Sequence, residues 1–270
     1  MRISFVGGGN MAVALIGGLR RQGFSTAAIQ VVEPVAEARE RLTEEFGVRC
    51  AASVDAAALA CDVLVLAVKP QQMKEAVAPF AGKLAAQLVV SIAAGLRMAD
   101  IARWLGGYRR LVRTMPNTPA LIGAGITALC ADPGVDAEGR AAAEKVLHAV
   151  GATLWIDDEA QMDAVTAVSG SGPGYVFYFL EAMETAGIGL GFDAATARRL
   201  AVETFVGAAR LASQSEESLA TLRSRVTSRG GTTEAALLAF DAAGVAAGIA
   251  RGMQAAQASG REMGDLLGQD

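Results

Sequence analysis

The chain has 270 residues, 52% of them hydrophobic, and its 24 basic and 28 acidic residues give a formal net charge of −4. That apolar content is enough for the cores of one large or two modest domains. The intermixed charges lack the basic face that a nucleic-acid partner requires. No uninterrupted apolar stretch is long enough to cross a bilayer, so we expect no membrane partner.

The cysteine and histidine content argues against a metal site or a disulfide framework. The three cysteines (Cys50, Cys61 and Cys130) are scattered and odd in number, they lack the spacing of metal ligands, and the chain has one histidine. Met1 and Arg2 lead directly into a strand-like segment rather than a secretory signal. The sequence therefore predicts a reduced, cytoplasmic protein without a metal.

Residues 1 to about 157 alternate short β-branched runs with amphipathic helical segments such as Ala36–Phe46. This order is typical of an α/β doubly wound fold, a mostly parallel sheet with helices on both faces. Strands are predicted at residues 3–6, 29–32, 63–68 and 88–92, and further ones at 111–113, 125–130 and 152–156.

A glycine-rich turn follows the first predicted strand and precedes an apolar helix. Gly7 and Gly9 match the first two glycines of the dinucleotide fingerprint, and Ala12 occupies the third, close-packing position. Small residues are needed because the pyrophosphate must lie against N–H groups at the helix start. The predicted cofactor contacts here are Val6, Gly7, Gly8, Gly9, Asn10 and Met11.

The second predicted strand ends at Glu33. A carboxylate at this position normally accepts the ribose hydroxyls of NAD and repels the extra phosphate of NADP. Alternatively, Glu33 points to solvent while Arg39 or Arg41 pairs with that phosphate. The residues alone favour NADH.

Three further turns are predicted at the carboxyl edge of the sheet, where ligands bind in open α/β folds. One contains Lys69, which could equally be a surface charge. The next has small residues that leave room for the nicotinamide ribose, and the last places an asparagine between two prolines. The candidate cofactor contacts in these turns are Ala67, Val68, Lys69, Pro70, Ala93, Ala94, Gly95 and Asn117.

From about residue 158 onward the β-branched runs disappear. Helices are predicted to begin near Pro173, Ala194 and Thr233, and a last one runs from Val245. The sequence thus predicts a dinucleotide-binding domain at 1–157 and a helical domain at 158–270.

The last predicted helix carries a small residue at every fourth position: Gly244, Gly248, Gly252, Ala256 and Gly260. Because each glycine weakens a helix by roughly 1 kcal/mol, such a row suggests close packing against another helix, within or between subunits. Chance in a chain rich in glycine and alanine is the alternative.

Residues 226–233 break the helical pattern with two adjacent glycines and four hydroxyl side chains. A Gly-Gly turn that opens a helix presents unpaired N–H groups and the positive end of the helix dipole. Such a turn suits a small carboxylate, and its hydroxyls can donate to a second polar group of the ligand. A capped turn between two helices is the alternative.

Together these segments resemble the pyrroline-5-carboxylate reductase family. The matching segments are residues 7–12, 67–70, 91–95, 113–119, 163–177 and 226–233, in the family's order along nearly the full chain. The resemblance implies a Rossmann domain followed by an all-helical dimerisation domain, and a homodimer or higher homo-oligomer of dimers. It also implies NADPH or NADH as donor, a cyclic imine as small-molecule substrate, and L-proline as product.

The resemblance also implies roles for single residues. Thr233 corresponds to the catalytic hydroxyl that contacts the substrate's ring nitrogen, and Glu216 to an acidic contact nearby. The substrate-binding set is Glu216, Val226, Gly230, Gly231, Thr232 and Thr233, with Gly230, Gly231 and Thr232 supplying the backbone that holds the carboxylate.

Two residues depart from the family's pattern. Arg229 stands where the family usually has proline, and Glu33 stands where a neutral residue is frequent. Arg229 restores an N–H group and adds positive charge beside the proposed carboxylate pocket, while Glu33 puts the usual NADPH preference in doubt.

Two other functions remain open from the sequence. A related imine or keto-acid reductase could share the two-domain plan, although hydroxyacid dehydrogenases of this plan usually place a catalytic lysine early in the second domain, and residues 158–216 contain none. A non-catalytic dinucleotide-sensing protein would keep the glycine turn but would not need the pocket at 226–233.

Overall fold

The computed structural model describes residues 1–269. Its internal contacts divide the chain into two compact units. The first unit contains residues 1–171 and the C-terminal segment from Ala256 onward, and the second contains residues 172–255.

The first unit is built on one eight-stranded sheet with the order β3-β2-β1-β4-β5-β6-β7-β8. The strands are β1 (Ile3–Val6), β2 (Ile29–Val32), β3 (Arg49–Ala51), β4 (Val63–Leu66), β5 (Leu88–Ser91), β6 (Leu111–Met115), β7 (Gly125–Ala131) and β8 (Gly151–Trp155). Only the β6–β7 pair is antiparallel. The doubly wound, mostly parallel sheet is therefore confirmed. Strand β3 was not predicted, because its three residues are exposed or half-buried and show no strand pattern.

Seven helices of the first unit lie within residues 1–171. They are α1 (Asn10–Arg21), α2 (Ala36–Phe46), α3 (Ala56–Leu59), α4 (Met73–Val77), α5 (Met98–Trp104), α6 (Ala137–Leu147) and α7 (Met162–Val165). Short 3₁₀ turns lie at residues 26–28, 70–72, 78–80, 118–122, 148–150 and 159–161, and a π-helical turn spans Thr166–Gly170. Alternate strand residues point to opposite faces, so the sheet separates two apolar clusters, one packed with α1 and α6 and the other with α4 and α5.

The second unit contains only helices: α8 (Gly172–Gly189), α9 (Ala194–Ser213), α10 (Leu219–Arg225), α11 (Thr232–Ala242) and the first part of α12 (Val245–Leu267). The predicted helix starts near residues 173, 194, 233 and 245 are confirmed. Helix α10 was not predicted. Within residues 172–255, only Ala197 and Ala201 are buried.

The division by contacts lies later than the predicted boundary at residue 157. Met162 and Ala167 are almost fully buried beside the sheet, so the segment after β8 packs with the first unit. The sequence pattern shows where the last strand ends. The boundary between the two units lies later, because the turns that follow this strand pack against the first unit.

No single helix within residues 1–269 is both long and apolar enough to cross a membrane. Helices α11 and α12 together meet the length and composition criteria, but they are bent by 53° at the break between them.

Candidate active site

Gly7 is required by the backbone of the glycine turn. Its φ is +97°, a conformation that favours glycine. A Cβ added there would lie 2.6 Å from the carbonyl oxygen of Ala67, at the end of the neighbouring β4. The Gly7 N–H donates to the Val32 carbonyl at 2.8 Å, which fixes the turn against β2.

Gly9 keeps the start of α1 open. It is the N-cap of α1, and a Cβ added to it would meet no heavy atom within 4 Å. Ala12 is fully buried one turn later, as the third position of the fingerprint requires. The first N–H groups of a helix have no partner within the helix and carry its positive dipole end. This turn therefore has the geometry of a phosphate-binding site.

The carboxylate of Glu33 faces the glycine turn rather than open solvent. Its Oε2 accepts the Gly8 N–H at 2.8 Å, and its Oε1 accepts the Val35 N–H at 2.9 Å. Arg39 Nη1 donates to the carbonyl oxygens of Glu33 at 2.8 Å and Pro34 at 2.7 Å. An acceptor for ribose hydroxyls and a cation for a phosphate thus lie at the same strand end.

A cavity of about 430 Å³ opens beside this strand end. Its lining combines Gly7 and Glu33 with apolar side chains, among them Val54, Val68 and Pro79. A flat apolar ring joined to a ribose fits such a mixed lining, so the residues present are suited to the adenosine part of a dinucleotide. Lys69, by contrast, is exposed at the start of the 70–72 turn.

The C-terminal end of α12 packs against the turn after β5. Gly95 has a φ of +81°, and Ala93 and Gly95 are buried. A Cβ on Gly264 would lie 2.6 Å from the Gly95 carbonyl oxygen, and Arg97 forms an ion pair with Asp265. Sequence reasoning missed this contact. Gly264 continues the four-residue spacing of small residues, which was the available signal.

Asn117 uses both ends of its amide within the protein. Its Nδ2 donates to the Ser169 carbonyl at 3.1 Å, and its Oδ1 accepts the Ile126 N–H at 3.0 Å. The side chain therefore ties the start of β7 to the π-helical turn. A contact between Asn117 and the cofactor stays a prediction.

A buried arginine organises the same side of the sheet. Arg113 on β6 is 4% exposed, and its Nη1 lies 2.9 Å from Glu159 Oε1. Its Nη2 lies 3.7 Å from Asp163 Oδ1. Glu159 Oε1 also accepts the Met98 N–H at 2.7 Å. A buried cation needs such partners, and this network fixes the segment after β8 to the sheet.

In the second unit, the Gly-Gly turn leads directly into α11, whose N-cap is Gly231. Gly230 has a φ of +70°, and its N–H donates to Glu234 Oε2 at 2.6 Å. The Gly231 N–H donates to the Ser228 carbonyl at 3.0 Å. Two of the amides expected to hold the substrate carboxylate are thus engaged by the chain itself.

The remaining predicted substrate contacts lie around this turn or on the loop before α10. Thr233 is half-buried and Thr232 exposed on the first turn of α11. Val226 is exposed at the end of α10, and Glu216 is exposed on the loop between α9 and α10. The roles of these residues stay predictions. Within residues 1–269, no cluster of His, Cys, Asp or Glu has a metal-binding arrangement.

The sheet order, the glycine turn at the start of α1 and the carboxylate at the end of β2 define a class of protein: one with a Rossmann domain that binds a dinucleotide. Comparison with known proteins agrees. A family model described as NADP oxidoreductase, coenzyme F420-dependent, matches residues 2–95, and one described as pyrroline-5-carboxylate reductase dimerisation matches residues 159–263.

Similarity extends over the whole chain. A pyrroline-5-carboxylate reductase from Pseudomonas aeruginosa is 48% identical, covering 99% of this chain and 98% of the relative. The solved structure of a pyrroline-5-carboxylate reductase from Coxiella burnetii has a TM-score of 0.92 at 37% identity, covering 97% of this chain and 98% of that one. The Plasmodium falciparum enzyme, solved with NADP bound, has a TM-score of 0.87 at 25% identity and covers 98% of each chain. The chain belongs to the pyrroline-5-carboxylate reductase family.

Proposed function

We propose that this chain reduces 1-pyrroline-5-carboxylate to L-proline, the last step of proline biosynthesis, with NADPH or NADH as hydride donor. The observation that carries the proposal is the Gly-Gly-Thr-Thr turn that opens α11, in a chain 48% identical over its full length to a pyrroline-5-carboxylate reductase.

The residues at the sheet edge would hold the cofactor. The open start of α1 at Gly9 suits the pyrophosphate, and Glu33 and Val68 border the cavity suited to the adenosine part. When bound, NAD(P)H supplies a hydride for the imine carbon.

The second unit would hold the imine. A protonated imine is already a good electrophile, so the protein needs mainly orientation and one polar group at the ring nitrogen. The Thr233 hydroxyl is the group we assign to that nitrogen. The amides at the start of α11 would neutralise the substrate carboxylate, because the helix dipole is positive there.

We further propose that Glu33 favours NADH over NADPH. Its carboxylate is held between the Gly8 and Val35 amides at the strand end where a ribose would bind, and a second negative charge is unfavourable beside it. Arg39 is the competing influence, because its guanidinium lies against the same strand end.

A homodimer, or a higher homo-oligomer of dimers, is the proposed assembly. An apolar groove of about 460 Å³ lies in the second unit, lined by Tyr175, Tyr178, Phe179, Val245, Gly248, Ile249, Gly252 and Met253. The groove contains part of the small-residue row, and we propose that a second copy of the chain packs there. The cytoplasmic location and the absence of nucleic-acid and membrane partners also stay predictions.

The test is oxidation of NADH and NADPH, followed optically, with pyrroline-5-carboxylate and no added metal. We expect turnover with both cofactors and the higher kcat/KM with NADH. A folded protein that oxidises neither would contradict the reductase proposal and favour a dinucleotide-sensing protein. A related imine reductase would prefer another cyclic imine.

Thr233→Val tests the catalytic assignment. Losing one donor in a closed site costs about 1–3 kcal/mol, so we expect kcat/KM to fall roughly tenfold or more. Thr232→Val is the matched control, because only the backbone of Thr232 is assigned a role. Equal kcat/KM values for the wild type and Thr233→Val would show that the Thr233 hydroxyl does not contribute to catalysis.

A further inference from the structure

Glu234 places a carboxylate on an amide that the substrate carboxylate is proposed to use. The Gly230 N–H donates to Glu234 Oε2 at 2.6 Å, and the Glu234 residue is half-buried. The neighbouring Gly231 N–H already donates to the Ser228 carbonyl at 3.0 Å, so the turn has a backbone closure of its own. The Glu234 side chain thus accepts from the Gly230 N–H, a hydrogen bond that the turn does not need for its shape.

We propose that Glu234 lowers the affinity for substrate and product by competing with their carboxylate for the Gly230 amide. The inference rests on the proposed function, in particular on the assignment of Gly230, Gly231 and Thr232 to the carboxylate. One N–H group cannot serve two carboxylates fully, and two like charges at one site repel each other. Glu234 therefore leaves Gly230 when the ligand binds and returns when it departs.

The competition acts on binding more than on chemistry. The ligand carboxylate takes no part in the hydride transfer and is held in the ground state as well as in the transition state. An interaction common to both states changes KM with little change in kcat. Glu234 weakens the binding of imine and proline together, which favours release of the product.

If Glu234 had only a structural role, its removal would change ligand affinity in the opposite direction. Glu234 is the third residue of α11, after the N-cap Gly231. A glutamate at the third helical position often accepts an N–H at the helix start and stabilises it. If Glu234 only did this, its removal would loosen the turn and weaken ligand binding.

The experiment compares Glu234→Ala and Glu234→Gln with the wild type, using pyrroline-5-carboxylate as substrate and L-proline as product inhibitor. We expect Glu234→Ala to lower both the KM for the imine and the Ki for L-proline, about threefold to tenfold, the range of one net hydrogen bond. Glu234→Gln should be intermediate, because its amide oxygen still accepts from Gly230 but carries no charge. The KM for NAD(P)H should not move.

Asp241→Asn is the matched control. It removes the same charge from α11 two turns further on, where the residue is exposed, and should change neither KM nor Ki. An unchanged or raised KM in both Glu234 variants overturns the inference, as does an equal effect of Asp241→Asn. If Glu234→Ala fails to fold, Glu234→Gln decides by the same criterion. A wild type without turnover would instead contradict the proposed function, so the two failures are distinguishable.

Discussion

The two units of this chain bury their apolar residues to very different extents. Both apolar clusters of the first unit lie against its sheet, with side chains such as Phe5 and Leu15 fully buried. In the second unit, α8 has eighteen residues and none is buried; Phe177 is 66% exposed and Tyr178 71%. Exposed apolar area of this kind marks an interaction surface. The first unit completes its core within one chain, whereas the second leaves most of its apolar side chains exposed, which supports the proposed packing of a second copy there.

The same difference separates the proposed cofactor site from the proposed substrate site. The proposed cofactor site depends on close backbone contacts inside the first unit, such as Gly7 against Ala67. The proposed substrate site is an exposed turn of the second unit whose amides are engaged only locally. Substitutions in the first unit should therefore act through the fold and the cofactor, and those in the second through assembly and substrate binding.

The largest effect is expected for Gly7→Ala. The change forces a positive φ on alanine and sets its Cβ 2.6 Å from the Ala67 carbonyl oxygen. Strain and steric overlap of this kind cost about 3 kcal/mol or more, which lowers Tm by roughly 6–12 °C in a chain of this size. Calorimetry measures the shift, and NAD(P)H binding should be lost with it.

Gly9→Ala is the control for Gly7→Ala, because a Cβ at Gly9 meets nothing within 4 Å. Its Tm should stay near the wild-type value while the KM for the cofactor rises, since the methyl group lies where the pyrophosphate is proposed to bind. Equal Tm values for Gly7→Ala and the wild type would contradict the close contact that distinguishes the first unit.

Much of the first unit follows from the sequence, and the reason is local. β-Branched runs such as 3–6 and 29–32 become strands because their residues are buried on both faces. The glycine turn at residues 7–9 is recognisable because its backbone, with a positive φ at Gly7, favours glycine. By contrast, Gly264 against Gly95 and Asn117 against Ser169 join residues far apart in the chain. The four-residue spacing of small residues marks Gly264 but not its partner Gly95, and no motif marks Asn117 with Ser169, so both pairings required the three-dimensional structure.

The next largest effect tests whether a second copy of the chain packs against the second unit. Gly248→Leu places a bulky side chain in the apolar groove, where overpacking against a second copy costs about 1–3 kcal/mol. We expect light scattering to show a shift toward monomer and turnover to fall with it. Gly189→Leu is the control, because a Cβ at Gly189 meets nothing within 4 Å and the residue lies outside the groove lining. A wild type that is fully active as a monomer would refute the proposed assembly.

A smaller effect separates cofactor choice from assembly. Glu33→Ser removes the carboxylate at the end of β2 while leaving the oligomeric state unchanged. Relief of like-charge repulsion at an accessible site is worth on the order of 1 kcal/mol, so the ratio of kcat/KM for NADPH to that for NADH should rise roughly fivefold. If the ratio does not move, Glu33 serves only to close the turn through Gly8 and Val35.

The smallest effect concerns the stability of the first unit alone. Asp55 caps α3, accepting from Gln30 Nε2 at 2.9 Å, from the Ala58 N–H at 2.8 Å and from Arg49 Nη2 at 2.6 Å. These hydrogen bonds, that of Gln30 foremost, hold the pKa of the Asp55 carboxyl well below its usual range. Because the folded state releases this proton more readily than the unfolded state, the stabilisation is present at neutral pH and is lost as the pH falls below about 4.

Asp55→Ala should therefore lower Tm by about 2–4 °C at pH 7, the effect of one cap, and the Tm difference from the wild type should shrink progressively on acidification. Asp55→Asn keeps a capping oxygen without the charge, so its Tm at pH 7 should lie between those of Asp55→Ala and the wild type. A Tm difference between Asp55→Ala and the wild type that stays constant down to pH 2 would show that the ionised carboxylate contributes nothing to the cap.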